Sequence, residues 1–421
     1  MKHAKTLAVP GILLIGVMIG GDTDVLAQGG TPACASLPNP VFMGGTTAVL
    51  PVIRHFGAKL KKAGIMTLLW NENSEGCSSV AQLATQPKSL VRPTFSSYDE
   101  VGTGRTSTVT ITNCSGTLDQ VPDLVINDTF WMSCFYSYGS TASGQSTSLP
   151  ANLKEFLGPV QGLVPIVAKS YQYYFDIMAG ELLDIYACGA TGKILTFLDN
   201  SYVYNYNGET SGIRELFARS IGAPNGQILT VGSGNSNVTA ETMIQYVSST
   251  ISPIATIGYT STEFYDESRD VVNALKVRGV NQLKAYLPDT DQTSLDKINI
   301  REGRYTIQGA LKFVTTVDAN GVPVNAGAKK IIDWMQGNPA ADPLPFDVNE
   351  IYAERGVVPQ CAMRVTKDSD MAEFRHYTDP APCNCSFEIL ATGKKCIPGC
   401  TACTDSSTCL TGKICSHGYC E

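Results

Sequence analysis

The sequence has few histidines, few charged residues and no long apolar run beyond its N-terminus. Four of the 421 residues are histidines, and only His55, His376 and His417 follow residue 3. Neither Gly-x-Ser-x-Gly nor His-Glu-x-x-His is present, so the sequence does not indicate a serine hydrolase or a zinc peptidase. The net charge of −7 does not favour nucleic acid as a partner. We predict a protein that is not an enzyme and needs no cofactor or metal.

The N-terminus has the pattern of a secretory signal peptide. Lys2 and Lys5 precede an apolar run over residues 7–20, and small residues follow. The run is short for a membrane anchor, which is the alternative interpretation. We predict cleavage after about Ala27, a linker over 28–40, and a periplasmic, secreted or cell-surface protein. No later stretch is long enough to cross a bilayer.

The cysteines support export. All 14 follow the predicted cleavage site, and an even number in an exported protein indicates disulfides. Nine lie between Cys361 and Cys420, which leaves an odd five in the body of the chain. We therefore expect at least one body cysteine to be free or paired with the tail. In the tail only Cys400 and Cys403 have the Cys-x-x-Cys spacing of a zinc site, so disulfides are favoured.

Strand-like and helix-like segments alternate along most of the chain. Residues 49–63 have helical spacing and a basic last turn, and 65–70 and 160–168 are strand-like. This alternation predicts an α/β architecture with largely parallel sheets. The pattern ends near Pro343, and a cysteine-rich tail is predicted over 346–421.

Three strand–loop–helix junctions share one chemistry. Residues 44–48, 73–79 and 208–212 are rich in Gly, Ser and Thr, and the strand ending at Asn127 and Asp128 adds a carboxylate. Helix N-termini and hydroxyls donate hydrogen bonds to an anion. A carboxylate accepts the proton of a partly protonated anion. The junctions together predict a site for a small oxyanion.

These junctions resemble the phosphate-binding branch of the type 2 periplasmic substrate-binding proteins. Residues 44–51 are similar to the family's first phosphate loop, 73–79 to its second Ser/Gly loop, and 208–217 to its Ser-Gly-Thr helix start. Residues 123–128 resemble the strand whose last Asp binds the phosphate proton. The stretch 285–305 resembles exported proteins of predatory soil bacteria, which also fits the cysteine-rich tail.

The resemblance implies two α/β lobes within 41–345 that close on an anion through a hinge. Lobe 1 would comprise about 41–130 and 258–345, and lobe 2 about 131–257. It implies ligand contacts from Thr46, Thr47, Ser78, Ser79, Asp128, Ser211, Gly212 and Arg214. The function implied is extracytoplasmic capture of a phosphate-like oxyanion, with a transporter or a surface protein as partner.

Two residues depart from the family pattern. Asn207 stands where the family has an arginine that pairs with the anion, and Ile213 stands where it has a threonine. Loss of the arginine would cost about 1.5–3 kcal/mol of binding. The alternative is therefore a surface interaction protein on the same scaffold, without a high-affinity phosphate site and docked through its tail.

Overall fold

The computed structural model describes most of the chain, with defined gaps. The described residues are 31–85, 93–137, 148–173, 176–188, 202–206, 211–223, 228, 239–338 and 340–421, with the backbone alone at 135–137 and 188. The predicted signal peptide and the loop 207–210 lie outside these ranges. Within them, every helix is too short or too polar to span a bilayer.

Strands are distributed along the whole described chain. They are β1 (Pro40–Gly45), β2 (Thr67–Trp70), β3 (Thr94–Val101), β4 (Thr108–Ser115), β5 (Leu124–Asn127), β6 (Leu153–Ala168), β7 (Asp176–Met178), β8 (Gly258–Ser261), β9 (Val272–Ala274), β10 (Lys276–Arg278), β11 (Gln308–Thr316), β12 (Val365–Thr366), β13 (Arg375–His376), β14 (Cys415–Ser416) and β15 (Tyr419–Cys420).

Helices alternate with these strands. They are α1 (Leu50–Lys62), α2 (Gly76–Thr85), α3 (Trp131–Ser137), α4 (Ala179–Cys188), α5 (Gly212–Ser220), α6 (Ala240–Ser248), α7 (Thr262–Glu267), α8 (Ile298–Arg301), α9 (Ala326–Met335), α10 (Val348–Glu354) and α11 (Asn384–Thr392). The predicted helix over 49–63 is present as α1, with Pro51 in its first turn and three lysines in its last.

The α/β class is confirmed, but the prediction of largely parallel sheets was wrong. The main sheet has the order β4-β3-β2-β1-β5-β11-β6-β8, with β9 also beside β6. In this sheet only β1 pairs in parallel, with β2 and β5. Strands β3 and β4 form an antiparallel hairpin, and β11 lies antiparallel between β5 and β6. A hairpin and a returning strand both reverse direction, so the sheet is mixed.

Strand β6 belongs to two parts of the main sheet, one formed with β11 and the other formed with β8 and β9. Its residues 153–162 pair with β11, whereas residues 163–168 pair with β8 and β9. Gln161 therefore lies where β6 changes partners. The lobe boundaries inferred from the resemblance remain predictions.

Two large apolar clusters fill the core on either side of this point. One lies around α1, β1 and β2 and includes Phe56 and Trp70. The other includes Phe217 of α5 and Tyr259 of β8, whose rings stack at 3.8 Å between centroids. Burial of each such side chain stabilises the fold by about 1.5–3 kcal/mol. The second cluster fixes α5, and with it the helix start that the sequence singles out.

The C-terminal region contains two helices, α10 and α11, beyond Pro343, where the alternation in the sequence ends. Tyr352 of α10 is buried in the cluster around α1, and its hydroxyl donates to the Met335 carbonyl oxygen at 2.8 Å. Phe387 of α11 is buried in the other cluster. These helices have only seven and nine residues, so their apolar spacing is not evident in the sequence.

Disulfides tie both the body and the tail, as the cysteine pattern predicts. The bonded pairs are Cys34–Cys114, Cys77–Cys134, Cys361–Cys383, Cys385–Cys400, Cys403–Cys415 and Cys409–Cys420. Cys400 and Cys403 are thus in two different bridges, which excludes the zinc alternative. Cys396 is free and exposed, and the Cys188 side chain lies outside the described part.

Candidate functional site

A cavity of about 250 Å³ opens where the three predicted junctions meet. Its walls come from the residues after β1 and β2, the first turns of α2 and α5, and Thr239 before α6. The lining residues are Thr46, Thr47, Glu72, Asn73, Ser74, Glu75, Gly76, Tyr206, Ser211, Gly212, Ile213 and Thr239. The structure therefore brings together segments that are more than 160 residues apart.

Hydrogen bonds hold the first two junctions together. The Gly45 N–H donates to Oγ of Ser74 at 2.8 Å, and the Ser74 hydroxyl also lies 2.5 Å from the Asn71 carbonyl oxygen. The Thr46 N–H donates to the Ile126 carbonyl oxygen at 2.8 Å. These bonds fix the backbone that leads into Thr46, and Thr46 and Thr47 line the cavity.

Helix α2 begins inside the second junction, at Gly76, two residues before Ser78. It starts at Gly76, so its unpaired first-turn N–H groups belong to residues 76–78. The Ser78 hydroxyl donates to the Glu75 carbonyl oxygen at 3.1 Å, and Ser79 is buried beneath Gly44. Neither serine lines the cavity. Asn73, Ser74 and Gly76 line it instead.

Helix α5 presents its N-terminus to the cavity through Ser211, Gly212 and Ile213. Ser211 is the N-cap, and its hydroxyl oxygen accepts from the Arg214 N–H. The Arg214 guanidinium is directed elsewhere: it donates to the Ile228 carbonyl oxygen at 2.6 Å. Arg214 is therefore not a wall of the cavity, contrary to its predicted role.

Asp128 lies directly behind Gly212 and Thr46 and is completely buried. One of its oxygens accepts a short hydrogen bond from the Gln161 amide. The other, Oδ2, has no hydrogen bond of good geometry, and the Thr46 hydroxyl lies close to the carboxyl group. Burial raises the Asp128 pKa to about 6, although Thr46 and Gln161 both act to lower it. Asp128 is thus largely ionised at neutral pH and has a free acceptor oxygen.

A second buried carboxyl lies in the same polar region. Glu263 is fully buried, and its pKa is raised, first by burial and in part by the negative charge of Asp128. The Tyr206 hydroxyl lies near Thr260, and burial raises the Tyr206 pKa too. The site therefore has polar groups behind its wall as well as in it.

The wall carries negative charge. Glu72 and Glu75 line the cavity, and no lysine or arginine is among its described lining residues. Arg54 approaches Glu72 at 3.1 Å and Glu241 at 3.5 Å, so its charge is already shared by two carboxylates. Burial raises the Glu75 pKa. Anion binding here would depend on N–H and O–H donors rather than on cationic side chains.

Tyr206 and Thr239 complete the wall, and the sequence-based set of residues lacks both. Thr239 is the N-cap of α6 and is followed by Ala-Glu-Thr, a helix-start pattern that could have drawn attention to it. Tyr206 precedes the loop 207–210, and nothing in its local sequence indicates that its ring faces a cavity.

The described residues offer no built metal centre. The one cluster of potential ligands is Cys403, Cys409 and Cys420, and all three sulfurs are in disulfides. The prediction that no metal is needed remains a prediction.

No protein-family model matches the sequence, and comparison with curated proteins gives no match. Similar solved structures include a protein described as a phosphate ABC transporter substrate-binding protein from Clostridium perfringens, with bound phosphate. It is 15% identical, with a TM-score of 0.47, over 76% of this chain and 99% of that one. An ABC-type phosphate transport receptor from Vibrio cholerae is 13% identical, with a TM-score of 0.44, over 76% and 100%.

The regulatory domain of OxyR from Pseudomonas aeruginosa is also similar, at 10% identity and a TM-score of 0.36, over 70% of this chain and 95% of that one. Proteins described as phosphate transport proteins and a protein described as a regulatory domain thus both occur among the similar structures. Such low similarities do not assign a function. None of these three organisms supports the resemblance to predatory soil bacteria.

Proposed function

We propose that this protein is an extracytoplasmic solute-binding protein with the type 2 periplasmic-binding fold, and that it captures a small, phosphate-like oxyanion. The observation that carries the proposal is the convergence of two helix N-termini, α2 at Gly76 and α5 at Gly212, on one cavity backed by Asp128. Helix starts supply unpaired N–H groups and the positive end of a helix dipole.

The donors for such an anion are hydroxyl and N–H groups. Thr47 and Ser211 both line the cavity, and so does Tyr206, whose buried hydroxyl lies near Thr260. Hydroxyls orient to suit the ligand because each can donate or accept. A tetrahedral oxyanion in the cavity would accept hydrogen bonds from the Thr47 and Ser211 hydroxyls and from the first-turn N–H groups of α2 and α5.

Asp128 would select a protonated anion. Its carboxylate is largely ionised above its pKa of about 6, so it can accept the O–H of monohydrogen phosphate. Sulfate has no such proton at neutral pH. Because Gly212 now covers Asp128, the ligand reaches the carboxylate only when the first turn of α5 moves away. Strand β6, which joins both parts of the sheet, is a connection about which such a movement could occur.

The acidic wall and the outward direction of Arg214 predict modest affinity. Without a charge-assisted arginine contact, binding should be weaker by about one to two orders of magnitude. Asn207 lies outside the described residues, and as an asparagine it cannot supply a charged contact in place of the family's arginine.

Titration calorimetry with phosphate tests the proposal. Thr47→Ala and Ser211→Ala should each weaken phosphate binding by about threefold to tenfold, the range for one hydrogen bond. Thr112→Ala, on the exposed edge strand β4, is the matched control and should leave binding unchanged. Asp128→Asn should weaken phosphate more than sulfate. Loss of phosphate and sulfate affinity by equal factors would refute the role of Asp128.

The acidic cavity also favours a second function, a surface interaction protein on this scaffold. Glu72 and Glu75 would repel an anion, and the disulfide-bonded tail suits attachment outside the cell. Absence of both heat and thermal shift at millimolar phosphate would favour this alternative. The six disulfides of the described residues support an oxidising compartment for either function. A transporter or a surface protein would be the partner.

A further inference from the structure

A segment of the C-terminal region returns to the back of the candidate site. This return segment, residues 363–374, lies inside the loop closed by the Cys361–Cys383 disulfide, whose cysteines are 22 residues apart. Together with Phe130 and Lys312 it encloses a small cavity of about 30 Å³. Phe130 comes two residues after Asp128, so the return segment contacts the chain that carries the predicted proton acceptor.

Asp370 makes the main polar contacts of the return segment. It is buried, and its Oδ2 accepts from the Phe130 N–H at 3.0 Å and from the Ser133 hydroxyl in a short hydrogen bond. Hydrogen bonds from a buried carboxylate to backbone N–H groups are among the stronger ones in proteins. Asp370 therefore fixes the turn between Asp128 and α3.

Lys312 connects Asp370 to Asp128. Its ammonium is buried, lies 3.7 Å from Oδ1 of Asp370, and is 3.5 Å from the Asp128 carbonyl oxygen. It also lies over the Phe130 ring, 4.0 Å from the centroid. A buried ammonium without a nearby carboxylate is strongly destabilising, and Asp370 is the carboxylate that forms an ion pair with Lys312.

Three more charged residues lie around Lys312 and the return segment, namely Glu155, Lys367 and Arg219. Glu155 of β6 accepts from the Trp131 N–H at 2.7 Å, and its charge also acts on Lys312. Lys367 is on the return segment, and its pKa falls to about 8 through burial, with Asp370 opposing the shift. On α5, Arg219 donates to the Ser133 carbonyl oxygen at 3.3 Å and to the Met371 sulfur at 3.8 Å. Neighbouring elements thus hold the return segment on three sides.

We propose that the return segment is part of the binding site and that Asp370 is a positioning residue, which acts through Phe130, Ser133 and Lys312 to hold Asp128 in its ligand-binding position. The inference rests on the proposed function, because the position matters for binding only if Asp128 contacts the anion. Under this proposal the C-terminal region has a role in binding as well as in attachment, because it contributes the buried residue Asp370 to the site.

A double-mutant cycle on phosphate binding tests this. Asp370→Asn should weaken phosphate about tenfold in the wild-type background and have no further effect in the Asp128→Asn background. A substitution that only destabilises the fold would weaken phosphate binding in both backgrounds. Asp368→Asn is the matched control: Asp368 is on the same segment, exposed, and paired with Arg375 at 2.7 Å. It should leave binding unchanged. Equal effects of Asp370→Asn in both backgrounds, or none in either, would overturn the inference.

A second measurement does not depend on ligand. Hydrogen exchange of peptides covering 128–134 should be faster in Asp370→Asn than in Asp368→Asn. If Asp370→Asn does not fold, Ser133→Ala removes one contact to Asp370, keeps the ion pair, and should show the same pattern more weakly. If the wild-type protein binds no phosphate, the proposed function fails while exchange still decides the positioning: equal exchange in the two Asn variants overturns it, and faster exchange in Asp370→Asn supports it.

Discussion

Gly212 stands so close to Asp128 that no side chain fits between them. A Cβ added to Gly212 would lie 2.6 Å from Oδ2 of Asp128 and 2.6 Å from Oδ1 of Asn127. The first turn of α5 therefore rests on the end of β5, and the two halves of the candidate site meet at this contact. The free energy of the contact between Gly212 and Asp128 determines whether the site can open and close.

Gly212→Ala should destabilise the protein by about 1–3 kcal/mol, because the added methyl group forces the two elements apart. Gly180→Ala in α4 is the matched control, since a Cβ there meets nothing within 4 Å. It should be neutral or stabilising by about 0.5 kcal/mol. Urea unfolding of both variants measures the difference in their free energies of unfolding. Similar values for the two variants would show that Gly212 and Asp128 are not in tight contact.

Asp128→Asn should change how stability depends on pH. The folded-state pKa of about 6 lies above the unfolded value of 3.8, so the folded state binds the proton more tightly. Stability from this group is present below pH 3.8 and is lost as pH rises through 6. Asparagine does not titrate, so the variant lacks this loss. Its free energy of unfolding, relative to that of the wild type, should rise by up to about 3 kcal/mol between pH 4 and pH 7.

Urea unfolding at several pH values checks this prediction, with Asp368→Asn as the exposed control. A constant difference between Asp128→Asn and the wild type across that range would mean that the Asp128 pKa is not raised.

Phe217→Ala should weaken both the fold and the site. The ring stacks on Tyr259 and helps to fix α5, so its removal should cost about 3–5 kcal/mol. Leu283→Ala, at a side chain that is 98% exposed, should change stability little. Thermal unfolding and phosphate titration of both variants test whether the position of α5 is coupled to binding. Unchanged phosphate affinity in a folded Phe217→Ala protein would contradict that coupling.

The Cys34–Cys114 disulfide should contribute more stability than Cys409–Cys420. The first joins residues 80 apart and lies in a buried cluster with Phe42 and Phe95, whereas the second joins residues 11 apart in the tail. Loop-closure entropy gives about 4.5 kcal/mol for the first bridge.

Replacement of Cys409 and Cys420 by serine should leave the main unfolding transition within about 1 kcal/mol, because only a local loop is released. A larger shift than in the Cys34 and Cys114 double variant would reverse the expected order.

Local patterns predicted the elements better than they predicted the side chains of the site. The apolar spacing and the lysines of α1, and the Gly/Ser/Thr junctions, are properties of short segments, and the structure has them. Ser78 was expected to line the cavity, but α2 begins two residues earlier and turns its hydroxyl back to Glu75. Arg214 was expected to face the anion, yet it donates to the carbonyl oxygen of Ile228, which lies beyond the end of α5 and outside its local sequence pattern.

The sheet directions and the C-terminal contacts depend on long-range packing. Strand β11 returns between β5 and β6 from a position about 180 residues after β5, and no local pattern records its direction. Asp370 is in a loop whose sequence resembles an ordinary surface turn. Only folding places it beneath Phe130 and Lys312.

An anomalous difference map from crystals grown with arsenate tests the central claim most directly. Arsenate has the shape and protonation of phosphate, and its arsenic can be located independently of the protein model. The account predicts a peak between Thr47, the first turn of α2 and Ser211, with one arsenate oxygen within hydrogen-bond distance of Asp128. A cavity without a peak at millimolar arsenate, or a peak only elsewhere on the protein, would contradict it.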